Sequence, residues 1–269
     1  MTTRAVVLAR GLGRRMQAAD ERAAMTPEQE RAAAAGAKAM MPIGGRLFID
    51  YVLGAAADAG LREVALVVAP DHHALTQHFD SAPPERVRIA FVVQEHPSGT
   101  AHAILAAEDW CGGAPFLAMN SDNLYPVETL RALAELDEPG LAVFEKDDLI
   151  RTSNIPPERV QAFALLDVDG DGYLARIDEK PPAERVESAG PHAAVSMNCW
   201  RFDARIFEAC RRVARSARGE FELPQAVARA IEGGLRFRAV PARGPVLDLS
   251  RRTDAADVSR RLAGVVPRP

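Results

Sequence analysis

Lysine is almost missing from this chain. Of 33 basic residues among 269, only Lys38, Lys146 and Lys180 are lysines and 30 are Arg. Lys is ordinarily among the commonest residues, so each one that remains is informative. Cysteine is equally scarce. Cys111, Cys199 and Cys210 are odd in number and lack metal-ligand spacing, which excludes a disulfide framework and a zinc ribbon and makes reduced thiols in a cytoplasmic protein the expectation. Aromatic residues are only 6%, too few for an RNA-stacking surface. No apolar run approaches the ~18 residues of a membrane helix. The stretch Ala5-Val6-Val7-Leu8-Ala9 is too short for a signal peptide, and Arg10, Arg14 and Arg15 follow it. Neither a nucleic acid nor a membrane is therefore expected as a partner.

What is present is a globular composition. Hydrophobic residues make up 48% and charged residues 26%, with a formal net charge of -4, which excludes a disordered chain. A chain of this length buries roughly three quarters of its surface and needs no staples. The charge is uneven: residues 201–269 hold 15 Arg and 8 acids, a net +7, which leaves -11 for residues 1–200. An Arg-rich helical surface is the expected meaning of that excess.

Strands alternate with helices along the first half. Arg4 to Ala9 reads as a buried strand ending in Gly11-Leu12-Gly13. Phe48 to Ala59 has helical periodicity, with Gly60 just past its end. Glu63 to Ala69 and Arg88 to Gln94 are further strands. A small-residue helix over Thr100 to Ala107 follows, then a strand at Pro115 to Met119, a helix at Val127 to Leu136 and a strand at Leu141 to Phe144. Such alternation implies βαβ units and a mostly parallel sheet, whose ligands sit beyond the carboxyl ends of the strands. Gly11, Gln94 and Asp122 would all lie there.

After residue 150 the rhythm changes. Phe163 to Asp167 and Tyr173 to Asp178 flank Asp169-Gly170-Asp171-Gly172, which is hairpin-turn chemistry. Strands are expected at 193–202, 235–240 and 246–249, helices at 205–213 and 223–231, and a last helix near Thr253, a plausible N-cap. No repeat or low-complexity linker divides the chain, so residues 1–269 are expected to form one domain. One segment stands apart: Thr26-Pro27-Glu28-Gln29 is a capping box with Pro at the first helical position, and Gly36 can close that helix.

Six short stretches carry the chemistry. The first, Leu8-Ala9-Arg10-Gly11-Leu12-Gly13-Arg14-Arg15-Met16, is a glycine-rich turn leaving a buried strand. Such a turn lets backbone N–H groups approach a phosphate while arginines add charge. It is neither a Walker loop nor a G-x-G-x-x-G fingerprint, which disfavours an NAD-dependent dehydrogenase. The others are Lys38-Ala39-Met40-Met41-Pro42-Ile43-Gly44-Gly45-Arg46, Gln94-Glu95-His96-Pro97-Ser98-Gly99-Thr100-Ala101, Asn120-Ser121-Asp122-Asn123, Glu179-Lys180-Pro181, and Asp248 within Val246-Leu247-Asp248-Leu249-Ser250.

In this order and spacing the six stretches resemble the sugar-1-phosphate nucleotidyltransferases, the family that includes glucose-1-phosphate thymidylyl- and uridylyltransferases and mannose-1-phosphate guanylyltransferases. The resemblance runs from Arg4 to about Ala263. It implies an α/β fold, a Rossmann-like three-layer α/β/α sandwich with a mostly parallel, partly mixed central sheet. Residues 1–150 would form a nucleotide-binding half and residues 151–269 a sugar-phosphate-binding half. It implies an enzyme that makes a nucleotide sugar and pyrophosphate from a nucleoside triphosphate and a sugar 1-phosphate, with Mg²⁺ as cofactor. By resemblance Gly11 and Gly13 wrap the triphosphate, Arg15 and Lys38 contact the leaving pyrophosphate, and Asp122 and Asp248 bind the metal. Gln94 touches the base and Gly99 packs against the nucleoside, with Leu8, Ala9, Arg14 and Thr100 completing the nucleotide site. Lys180 meets the sugar phosphate, and Glu179, Asn123 and Asn198 belong to the sugar side. Arg15, Lys38, Asp122, Lys180 and Asp248 are the catalytic set. Transfer to another phosphate monoester (phosphocholine or a cyclitol phosphate), and a catalytically weak nucleotide-binding regulator, are the alternatives. A homo-oligomer is compatible with all of them.

The lysine count supports the resemblance. Two of the three lysines in the chain, Lys38 and Lys180, fall where the family pattern calls for Lys, and a flexible ammonium serves phosphate oxygens as a point charge. Departures from the pattern are Arg10 and Arg14 in the glycine loop, which either strengthen phosphate binding or obstruct it, and also Ala37, Ser121, Ala164 and Gln225. The Thr26 to Gly36 helix lies within a longer insertion between two phosphate-binding stretches, a position that suits a lid. Two decoys are set aside. Asp167, Asp169 and Asp171 mimic a calcium loop, but β-favouring segments flank them. His72, His73 and His78 lack partners at zinc-ligand spacing and read as helix-surface residues.

Overall fold

A computed structural model describes residues 1–20, 22–161 and 163–269. In chain order its strands are β1 (Arg4–Leu8), β2 (Pro42–Ile43), β3 (Arg46–Leu47), β4 (Glu63–Val68), β5 (Arg88–Val93), β6 (Phe116–Asn120), β7 (Asn123–Leu124), β8 (Gly140–Glu145), β9 (Ala164–Val168), β10 (Leu174–Asp178), β11 (Ala194–Phe202), β12 (Arg238–Ala242) and β13 (Leu247–Asp248). Nine of them form the central sheet, in the order β10-β9-β11-β6-β1-β4-β5, with β8 paired to β11 and β12.

The expected parallel block is β6-β1-β4-β5. β1, β4 and β6 read as apolar runs because both their faces are buried, whereas the edge strand β5 is only half-buried. In β1, Ala5 and Val7 join one core while Val6 joins the other, and β4 and β6 alternate in the same way. Helices Phe48–Asp58 and Val127–Glu135 cover the first face, and helices Thr100–Ala106, Arg205–Arg212 and Leu223–Glu232 cover the second. The three-layer α/β/α expectation therefore holds. The mixed edge comes from β11, which runs antiparallel to β6, β8 and β9.

Several local expectations hold with their geometry. Thr26 and Gln29 cap each other reciprocally at the start of helix Pro27–Ala34. The Asp169–Gly172 turn joins β9 to β10, with the Asp169 carboxylate accepting from the N–H groups of Asp171 (3.0 Å) and Tyr173 (2.8 Å). This is a hairpin and not a calcium loop. Thr253 sits at the start of helix Asp254–Arg261 but makes no side-chain cap. Instead the Asp254 carboxylate accepts from Ser250 N–H and Arg251 N–H, because Arg159 holds that carboxylate in place. The three cysteines are buried and free. No helix among the described residues is long and apolar enough to cross a membrane.

Candidate active site

Because β1, β4, β5 and β6 are parallel, the loops after Leu8, Val93 and Asn120 emerge on one side of the sheet. Arg10 ties two of these loops together. Its Nε donates to Gln94 O (2.8 Å) and its Nη2 to Glu95 O (3.1 Å). Two nitrogens of the guanidinium are thus engaged by protein carbonyls.

The two loop glycines serve different ends. Gly13 has φ +60, and a Cβ there would lie 2.3 Å from Gly36 O. Gly36 has φ +68, and its Cβ would lie 2.6 Å from Leu12 O. The two backbones pack directly on each other, which only glycine permits. A Cβ on Gly11 would meet nothing within 4 Å, so that face of the loop is open to a ligand. Arg14 and Arg15 follow on the exposed helix Arg14–Gln17, and neither has an acidic partner among the described residues.

The inserted helix is anchored. Ala33 is fully buried, Gln29 Nε2 donates to Pro42 O (2.8 Å), and Arg252 bridges Glu30 and the carbonyl of Met16. In this arrangement the helix acts as a strut. Through Gly36 and the turn at Lys38–Met40, the helix braces the glycine loop against the segment that carries Lys38.

Lys38, Asp122 and Asp248 meet in one corner. The Lys38 Nζ lies 2.6 Å from Asp122 Oδ2, with both side chains about one-fifth exposed. Asp122 follows β6, and Leu249 N–H donates to its carbonyl (2.9 Å) while Asp248 pairs with Asn123 across β13 and β7. Asn154 clamps the Asp248 backbone from both sides, donating to its carbonyl and accepting from its N–H. Burial, then repulsion from Asp122, pushes the Asp248 carboxyl well above the usual aspartate range. Its Oδ1 is buried without a hydrogen-bond donor among the described residues. Two facing carboxylates, one with an orphaned oxygen, fit a hard divalent cation. Among the described residues no cluster of three or more His, Cys, Asp or Glu exists. A cation here would therefore keep several water or phosphate ligands, as Mg²⁺ does.

Sequence reading missed the cation beneath this corner. Arg159 is buried, bonds Asp254 twice (2.7 and 3.0 Å), and places Nη1 3.5 Å from Asp248 Oδ2. It comes from the short helix Pro157–Val160, in a stretch without useful periodicity. Only the Pro156-Pro157 pair at the helix start gave any signal.

The residues expected on the sugar side include two with unusual backbone. Among the described residues, Lys180 (φ 49) and Asn198 (φ 56) are the non-glycine positions with left-handed backbone. Such conformations cost of order 1–3 kcal/mol and cluster at functional sites. Asn198 lies where the β11 register shifts between Ser196 and Trp200, its Oδ1 buried without a partner. Burial, then the charge of Glu222, raises the Glu179 carboxyl to about 7, and Arg218 binds Glu222 at 2.8 Å. Asn123 is buried and accepts from Asn120 Nδ2 (3.1 Å). No hydrogen bond among the described residues joins the Glu179–Lys180 corner to the aspartates.

On the opposite side, Gln94 is buried and its Nε2 lies 3.1 Å from Gly99 O and 3.0 Å from His102 Nδ1. Gly99 (φ +108) backs onto Phe221, whose carbonyl would lie 2.4 Å from an added Cβ. Its glycine identity is thus set by the protein's own packing. Thr100 Oγ1 accepts from Leu223 N–H (2.9 Å), which caps helix Leu223–Glu232. Leu8 and Ala9 are half-buried at the end of β1, where Ala9 N–H donates to Val67 O (2.8 Å).

Comparison with known proteins places the chain in a family and a fold. The profile of the family described as nucleotidyl transferase matches residues 33–249. The UTP–glucose-1-phosphate uridylyltransferase of Bacillus subtilis (strain 168) is 25% identical over 217 residues, covering 71% of this chain and 71% of that protein. The glucose-1-phosphate thymidylyltransferase of Streptomyces antibioticus is 25% identical over 235 residues, 83% of this chain and 60% of that longer protein. A solved UDP-glucose pyrophosphorylase complexed with UDP-glucose superposes with a TM-score of 0.75 at 19% identity, covering 97% of this chain and 98% of that one.

Proposed function

The chain belongs to the nucleotidyl transferase family, and from that premise we propose that it joins a nucleoside triphosphate to a sugar 1-phosphate, forming a nucleotide sugar and pyrophosphate. The corner formed by Lys38, Asp122 and Asp248 carries this reading. It lies past β6, next to the strand that leads into the open face of Gly11. Residues 1–269 act as one domain, residues 1–150 serving the nucleotide and 151–269 the sugar phosphate. The setting is the cytoplasm, in keeping with three free thiols.

A sugar-phosphate oxygen attacks the α-phosphorus in line as the bond to the bridging oxygen of pyrophosphate breaks. The attacking oxygen is already ionised, so no general base is needed. The burden falls on positioning and on neutralising two approaching anions. Arg15 and Lys38 hold the departing pyrophosphate, and the open Gly11 face lets backbone N–H groups approach the phosphates. Lys180 orients the attacking phosphate, while Glu179, Asn123 and Asn198 bind the sugar side. Gln94 reads the base, with Gly99, Thr100, Leu8 and Ala9 forming the nucleoside wall. Asp122 and Asp248 would hold Mg²⁺, which when bound would supply charge neutralisation for the reacting phosphates.

The test is pyrophosphate release from a panel of nucleoside triphosphates crossed with sugar 1-phosphates, phosphocholine and cyclitol phosphates, with and without Mg²⁺. Release with a sugar 1-phosphate, lost on chelation, is the expected result. Release only with another phosphate monoester moves the acceptor assignment, and nucleotide binding without any release defeats the enzymatic reading.

A further inference from the structure

Beside Gln94 sits a side chain to which neither the family pattern nor the chemistry above assigns a part. His102 lies on helix Thr100–Ala106, half-buried, its ring facing Phe221 at a centroid distance of 6.5 Å. Its Nδ1 is 3.0 Å from Gln94 Nε2, and Gln94 Nε2 also lies 3.1 Å from Gly99 O. A carbonyl only accepts, so Gly99 decides which end of the amide is nitrogen. Gln94 Nε2 has two protons. One goes to Gly99 O, and the other goes to His102 Nδ1, which must accept. His102 is therefore neutral, with its proton on Nε2. No protein donor among the described residues reaches Gln94 Oε1.

We propose that His102 is a positioning residue that locks the Gln94 amide, leaving Oε1 as the one atom with which Gln94 reads the base, so that the accepted base presents an N–H from its ring. The proposal rests on the reading of Gln94 as the base contact. Uracil, thymine and guanine carry such a ring N–H, whereas adenine and cytosine present a bare ring nitrogen in the corresponding place. A site built around one acceptor rejects a ring that lacks the donor, because the acceptor is left unpaired.

Protonation would undo the lock. An imidazolium Nδ1–H cannot accept from Gln94, and it would draw Oε1 toward itself against Gly99 O. The groups around His102 oppose that charge. Burial, then His96, Arg10 and Arg215, hold its pKa below the ordinary 6.5. Arg10 reaches Gln94 O from the glycine loop, His96 lies in the loop after β5, and Arg215 stacks on Phe221.

The experiment is steady-state kinetics with UTP, dTTP, GTP, CTP and ATP. The best of the first three is then compared with its analogue methylated at the ring N–H (N3-methyl-UTP, N3-methyl-dTTP or N1-methyl-GTP). Methylation should lower kcat/KM by about tenfold or more in the wild type. His102→Leu should raise the nucleotide KM about tenfold and shrink the methylation penalty, while kcat and the sugar-phosphate KM stay within about twofold. His102→Asn, whose side-chain oxygen can accept from Nε2, should restore the nucleotide KM. As pH falls below 6.5, the wild-type nucleotide KM should rise relative to that of His102→Asn, which has no titrating ring. A preference for CTP or ATP overturns the proposal. So does an unchanged KM and penalty in His102→Leu when Gln94→Ala is impaired. An unchanged nucleotide KM in Gln94→Ala instead defeats the base-contact reading itself. If His102→Leu fails to fold, the His102→Asn and pH comparisons still decide.

Discussion

Two arginine-rich regions of this protein use the same side chain in opposite ways. At the glycine loop, Arg14 and Arg15 are exposed and have no carboxylate partner among the described residues. In the C-terminal third, most arginines are spoken for. Arg205 binds Asp203, Arg211 binds Glu108, Arg218 binds Glu222, Arg229 binds Glu232, Arg238 binds Glu138, and Arg260 and Arg261 share Asp257. Of the net +7 of residues 201–269, four charges are met among the described residues by acids from the first 200, Glu30, Glu108, Glu138 and Asp171. A charge count locates excess charge. Whether that charge is available to a ligand depends on which cations lack a partner.

The sharpest way to break this contrast is Arg15→Ala. Turnover is expected to fall by ~10³-fold or more, the lower end of what arginine contributes to phosphoryl transfer elsewhere, with the melting temperature unchanged. Near-normal turnover in a folded variant would make the loop arginines mere surface charge. Arg159 represents a third state, buried with both terminal nitrogens paired to aspartates. Arg159→Ala strands Asp248 and Asp254 and should cost about 3–5 kcal/mol in denaturant unfolding. A loss under 1 kcal/mol would show that the two carboxylates do not depend on it.

The two glycines sharpen the comparison within the loop. Gly13→Ala forces its Cβ into the Gly36 backbone at a left-handed position and should cost about 1–3 kcal/mol. Gly11→Ala should leave stability nearly intact and raise the nucleotide KM. Equal stability losses in the two variants would remove the distinction. At Glu179, burial and Glu222 raise the folded pKa to about 7 from an ordinary 4.5. Between those values the folded state holds a proton that the unfolded state has lost, so stability falls as pH rises through that window. Glu179→Gln removes the titration. It should melt higher than the wild type at pH 8 and lose that advantage toward pH 4.5, and a pH-independent difference would contradict the assignment. The smallest effect belongs to the paired surface. Arg229→Ala breaks an exposed pair with Glu232 and should change stability by about 0–1 kcal/mol, with activity unaffected.

The parallel block was legible because burial on both faces writes continuous apolar strands, and the first-half elements match their expected spans to within a residue or so. The loop glycines, Lys38 and Lys180 were legible because residue type at fixed spacing survives as a pattern. Arg159, Asn154 and His102 were not. Each acts through a partner distant in sequence or through a backbone group, and neither leaves a periodic trace. The inserted helix shows the same limit: its capping box was readable, but its anchoring by Gln29 and Arg252 was not.

The sequence alone determined the layered α/β architecture and the strand ends at which the candidate site residues gather, since these follow from local patterning and residue type. Tertiary structure decided which cations lack a partner among the described residues, which aspartate is buried, which glycine is open and how the Gln94 amide is turned. All four depend on the distance and dielectric surroundings of groups that only the folded chain brings together.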